Sequence, residues 1–322
     1  FTSAHASQTC LNGNTIQIII RINNPNSGDA AIFDNVTVNF DDIAPDVLSA
    51  IAINESNIKI QFSEEVIQAM AENLSNYNIT GIGIPNSATF GADKSSVELH
   101  FASNFIEYQL YTLDISNISD KCGNTLSKIS VNFNYISFKP ENIYVVSKNE
   151  ILIEFSRILN KISAETTGNY NMNNGVGSPV SAILESDTIV RLEFGNNMAN
   201  NSANTLTINN LIDINGIALT SADIAFVFHQ VAPFDLVINE IMADPVPSVD
   251  LPEFEYLEVF NNTAFTISLV DWKIKIGDVS KSIPIINMNS NSYFIFTSVQ
   301  GAIPLKDYGE TIGILGSSDL TN

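Results

Sequence analysis

Positive charge is what this chain has least of: 14 Lys and Arg stand against 35 Asp and Glu, a formal net charge of −21 over 322 residues. A phosphate backbone or an anionic bilayer needs a basic footprint, so nucleic acid is excluded as an expected partner. No run approaches the roughly 18 consecutive apolar residues of a membrane-spanning helix, so direct membrane insertion is not expected either. Cysteine is nearly as scarce. Cys10 and Cys122 are the only two, too few for a disulfide framework and too far apart for a paired metal motif. A bridge between them and ordinary partly buried thiols both fit the sequence, and the thiols are the favoured reading. Histidine occurs three times, as His5, His100 and His229, in three separate stretches. With no HExxH, Cys-x-x-Cys, Gly-rich phosphate loop or GxSxG elbow, the sequence offers no catalytic constellation, and the chain reads as a non-enzyme.

What the chain does have is repetition. "IKIQFSEEV" from Ile58 and "ILIEFSRIL" from Ile151 place Phe62 and Phe155 at a spacing of 155 − 62 = 93 residues. The same offset aligns Tyr77 with Tyr170, Phe101 with Phe194, Asp120 with Asp213 and Gly123 with Gly216. A period of this length is a small domain copied in tandem, not a solenoid unit. Within each copy the apolar residues alternate: Ile58, Ile60 and Phe62 fall on one side of a strand, Lys59 and Gln61 on the other. About seven such runs per copy, separated by turn clusters such as "GADKSS" and "DKCGN", predict an antiparallel β-sandwich. One segment departs from this. "SEEVIQAMAENLSNY" from Ser63 spaces Val66, Ala69, Met70 and Leu74 as a short helix, and "SRILNKISAETTGNY" does so more weakly.

Prolines 45, 140 and 233 each precede a new set of strands, and such links mark domain boundaries. Four pieces result: 1–43, 44–135, 136–230 and 231–322. The first reads as two long strands, too few to form a sandwich alone.

The ordered motifs of the two copies resemble the bacterial immunoglobulin-like modules of surface-layer and other exported proteins. "FDNVTV" in the first piece is similar to the closing strand of jelly-roll modules. The last piece, with "INEI", "EYLEVFN" after an acidic proline-bearing loop, and Asp271-Trp272, resembles the lamin-tail domain of exported Bacteroidetes proteins. The resemblance implies an all-β chain: a string of immunoglobulin-like sandwiches preceded by a jelly-roll remnant. It also implies a core in the last piece of Ile238, Ile241, Tyr256, Leu257, Val259 and Trp272. That family's pattern calls for further strands beyond "GILGSSDLTN", so the chain is expected to be part of a longer protein.

Two features could carry chemistry. Asp244, Asp250, Glu253 and Glu255 form an acidic stretch in which Glu253 and Glu255 are expected on one face of a strand. Oxygen ligands of this kind suit calcium, although a solvated acidic edge is the simpler reading. Asp120 and Asp213 each precede a glycine and are expected to initiate turns through their side chains. Together these observations imply a modular region of an exported or cell-surface protein, a spacer and interaction surface for a protein partner in adhesion, motility or type IX secretion. An accessory region of an extracellular hydrolase or nuclease, or a glycan-binding protein acting through the jelly-roll strands, are the alternatives.

Overall fold

The computed structural model describes residues 41–247, 251–317, 319 and 320. The expected jelly-roll strands, His5, Cys10 and Asp250 lie outside the described residues. The chain divides into two compact units, Phe1–Ser137 and Phe138–Asn322. It is all-β, with only single-turn helices among the described residues, none long and apolar enough to cross a membrane.

The described part of the first unit runs β1 (Val47–Ala52), β2 (Asn57–Phe62), α1 (Gln68–Ala71), β3 (Tyr77–Ile79), β4 (Ser87–Phe90), β5 (Ser96–His100), β6 (Leu110–Ser119) and β7 (Thr125–Asn134). A sheet of order β1-β2-β5-β4 faces one of order β3-β6-β7, and every pairing is antiparallel. Alternation decides which side chains enter the interior. Ile58, Ile60 and Phe62 are buried while Lys59 between them is exposed, and each fully buried side chain of this size contributes about 1.5–3 kcal/mol.

The second unit begins with the same architecture: β8 (Pro140–Ser147), β9 (Glu150–Phe155), α2 (Lys161–Ala164), β10 (Tyr170–Met172), β11 (Pro179–Ser186), β12 (Ile189–Phe194), β13 (Ser202–Ile208) and β14 (Ala222–Phe228). Its sheets have the orders β11-β12-β9-β8 and β10-β13-β14. The repeat extends to individual hydrogen bonds. Tyr77 donates its hydroxyl to the carbonyl of Ala71 at 2.7 Å, and Tyr170 to that of Ala164 at 2.8 Å. Asn76 and Asn169 donate side-chain amides to the carbonyls of Met70 and Ser163. The segment expected to be helical is one α-turn followed by a 3₁₀ turn in each copy. These side-chain bonds to the backbone hold it in place of a longer helical ladder. Both tyrosines are fully buried, and burial pushes each phenol well above its ordinary range. Tyr170→Phe should therefore cost about 1–2 kcal/mol by orphaning a buried carbonyl, read as a lower denaturant midpoint at unchanged slope.

The chain ends in a third body: β15 (Leu236–Met242), β16 (Tyr256–Asn261), β17 (Ile267–Ser268), β18 (Lys273–Ile276), β19 (Val279–Ser282), β20 (Asn287–Met288), β21 (Tyr293–Ser298), α3 (Ala302–Leu305) and β22 (Glu310–Leu315). The main sheet is β15-β16-β21-β22, its last pair parallel, and the ribbons β17-β20 and β18-β19 accompany it. Leu257, Ile267, Leu269, Met288, Phe294, Phe296 and Leu315 form the core. Tyr256, Leu257 and Val259 are inward or half-buried, as expected. Ile238 and Ile241 are not: they are 60% and 56% exposed. β15 is an edge strand with a register break between Ile238 and Glu240, so period-two alternation does not carry both isoleucines inside. Trp272 is 39% exposed instead of core.

Candidate functional site at a junction in the second unit

The second unit contains a junction between its repeat and the third body. β8 is the edge of its sheet, and its unpaired backbone groups are met by side chains. The amide of Val145 donates to Ser268 Oγ at 2.8 Å, and Asn287 Nδ2 donates to the carbonyl of Ile143 at 3.0 Å. Ser268 also donates to Asn287 Oδ1 at 2.6 Å, locking the two together. Beside them Tyr144, Leu152 and Val270 form a small buried cluster. Leu152 is fully buried on the outward face of β9, where the first copy has the exposed Lys59. That lysine-to-leucine change is the sequence signal of a covered surface. Within the second copy it shows as three consecutive apolar residues, Ile151, Leu152 and Ile153, where strict alternation would place a polar one.

An arginine completes the junction. Arg191 binds Glu185, Glu150 at 2.9 Å and, from the third body, Asp271 at 3.7 Å. Its bond to Glu185, then that to Glu150, holds the guanidinium pKa above its usual range. His229 stacks on Phe265 with centroids 4.7 Å apart. Both ring nitrogens of His229 are engaged, by Asn201 at 2.7 Å and Asp235 at 2.9 Å. The Ala232 amide first, and then His229, hold the Asp235 carboxyl below its usual range. Between the two bodies lies a cleft of about 410 Å³, lined by residues that include Lys148, His229, Gln230, Thr266 and Trp272.

The other expected site residues lie elsewhere. Asp244 is exposed and its carboxylate accepts from the Val246 amide at 3.4 Å. Glu253 is exposed, whereas Glu255 is buried and its carboxylate accepts from the Leu320 amide at 2.9 Å. The two glutamates precede β16 instead of lying along it, so they do not share a face. Among the described residues the only group of three ligating side chains within 4.8 Å is Asp41, Asp120 and Cys122. Cys122 is disulfide-bonded, against the favoured thiol reading, so its sulfur is not a thiolate ligand.

Asp120 and Asp213 initiate turns, as expected. Asp120 accepts from the Asn124 amide and Asp213 from the amides of Asn215 and Ile217, each at 2.8 Å. Gly123 and Gly216 adopt φ of +92° and +78°, which glycine reaches without steric cost. Both carboxylates are buried, and the copies balance them differently. Arg157 Nη1 lies 3.1 Å from Asp213, whereas Asn124 Nδ2 donates to Asp120 at 2.8 Å. Glu64, in the place of Arg157, has its pKa raised by burial first, then by Asp41 and Asp120. A carboxyl with a raised folded pKa favours the folded state below its unfolded value and loses that contribution as pH rises through the folded one. Glu64→Gln should therefore raise the melting temperature near neutral pH, and calorimetry should show the gain shrinking on acidification.

The fold defines an all-β protein with two copies of a two-sheet body, the second of which meets a third body through a side-chain-capped sheet edge. No protein-family model and no curated protein matches the chain. Among solved structures, the N-terminal part of the bacterial S-layer protein SbsC is 14% identical, over 57% of this chain and 44% of that one, with a TM-score of 0.32. Two longer SbsC structures, one covering residues 31-844 and one covering domains 1-6, are 11% identical over 80% of this chain and 53% of theirs, with a TM-score of 0.29. The chain thus spans about half the length of these structures, and a likeness this distant carries no argument about activity.

Proposed function

We propose that the chain is a non-enzymatic modular region of a larger exported or cell-surface bacterial protein, acting as a spacer and a protein-interaction surface. The observation that carries this reading is the capped edge of β8. Ser268 and Asn287 take up backbone groups of Val145 and Ile143, and Leu152 is buried beneath Val270. Such an arrangement resists rotation of one body against the next, which is what a spacer requires. The disulfide at Cys122 suits an oxidising, extracellular setting. Adhesion, motility and secretion are the settings that the immunoglobulin-like and lamin-tail resemblances favour.

The test is a distance measurement within the second unit. Spin labels at Asn197→Cys and Ser280→Cys, with the native disulfide intact, should give one narrow distance distribution. Adding Ser268→Ala and Asn287→Ala should broaden it, because two hydrogen-bonded anchors are lost. A broad distribution before those substitutions would remove the basis for a spacer.

A further inference from the structure

We propose that the junction cleft is a binding site for a neutral saccharide, stacked on Trp272. This reading goes beyond the spacer function and does not depend on it. Trp272 is the only tryptophan of the chain and is 39% exposed at the cleft wall. An indole buries more area than almost any other side chain, so leaving one partly open to water is a cost that a ligand can reverse. Its backbone is held on both sides. Trp272 donates its backbone amide to the Leu269 carbonyl at 3.2 Å, and its own carbonyl accepts from the Ile283 amide at 2.9 Å. Asp271, just before it, sits at a φ of 64° and reaches Arg191.

The polar groups around it are of the kind a sugar needs. Lys148, Gln230 and Thr266 line the same cleft and are exposed. Their side chains and the indole N–H have no hydrogen-bond partner among the described residues, whereas the other polar groups of the junction are already paired. His229 offers no free ring nitrogen and serves as wall. A hydrophobic ring face with a few convergent donors and acceptors, in a cleft of this volume, is the usual composition of a small-ligand site. Hydroxyl groups can both donate and accept, so they satisfy an amide and a hydroxyl as well as two N–H donors. Lys148 is the one cationic side chain lining the cleft and stands exposed, Arg191 is already shared by Glu150, Glu185 and Asp271, and the chain carries −21 overall, a balance that disfavours an anionic sugar.

The single tryptophan makes the experiment direct, since its emission reports on this cleft alone. The full chain is titrated with cellobiose, chitobiose and mannobiose. A saturable change in emission is expected with at least one, with a dissociation constant on the order of millimolar. By calorimetry, Trp272→Ala should weaken that binding about tenfold or more, and Gln230→Ala should weaken it less. Trp272→Phe, which keeps a flat apolar ring, should retain most of it. If Trp272→Ala fails to fold by thermal melting, Gln230→Ala decides the matter. No saturable change with any of the three sugars up to about 50 mM, or binding that Trp272→Ala and Gln230→Ala leave unchanged, overturns the proposal. A rigid junction with no sugar binding would leave the spacer reading standing and remove this one.

Discussion

Phe155→Ala is expected to destabilise the second unit by about 3–5 kcal/mol. Phe155 is 2% exposed and packs with Ile151, Ile153 and Phe194, so truncation leaves a cavity that β9, bonded on both sides, cannot close. The single tryptophan makes this loss specific in readout. Trp272 belongs to the second unit, so its fluorescence transition should move to lower denaturant. Phe62→Ala removes the equivalent side chain, 1% exposed, and should cost a similar amount. It should shift the circular dichroism transition and leave the tryptophan transition in place. Equal tryptophan shifts from both variants would show that the two units do not unfold independently.

The second large effect is expected from Arg157→Met. Asp213 is 2% exposed and is balanced by Arg157. Removing the guanidinium leaves a carboxylate in a low-dielectric setting, at a cost of about 3 kcal/mol or more. Lost packing around the aliphatic stem is not the cause, because methionine replaces most of it. The double variant Arg157→Met, Asp213→Asn should recover most of the loss. An asparagine can still accept from the amides of Asn215 and Ile217 through its side-chain oxygen, and no buried charge remains. A double variant no more stable than Arg157→Met would mean that the arginine acts through packing and not through charge.

How much of this was legible in the sequence depends on the range of the forces involved. The strands around Ile58 and Ile151 follow from local alternation, because one sheet face is buried and the side-chain period is two. The turns at Asp120 and Asp213 follow from an aspartate bonding amides two to four residues ahead, with glycine free to take a positive φ. The third body was less legible. Whether Ile238, Ile241 and Trp272 turn inward depends on edge position, a register break and a turn at Asp271, none of which periodicity encodes. The junction was written in the difference between the copies, Lys59 against Leu152, which marks a covered surface, while what covers it, Val270 of the third body, depends on the fold. The cleft itself needs two bodies and has no signature in either alone.

The replacement of Lys59 by Leu152 also bears on how a duplicated chain avoids tangling during synthesis. Two stretches with the same landmarks at one offset could exchange strands, a recognised failure of multidomain chains. Were β2 and the two residues after it to take the place of β9 and its own continuation, they would bring an ammonium beneath Val270 and leave Asp213 facing Glu64 instead of a guanidinium. The swapped assembly is penalised at two buried points by electrostatics alone, so the few residues in which the copies disagree let each half of the duplication find its own partners.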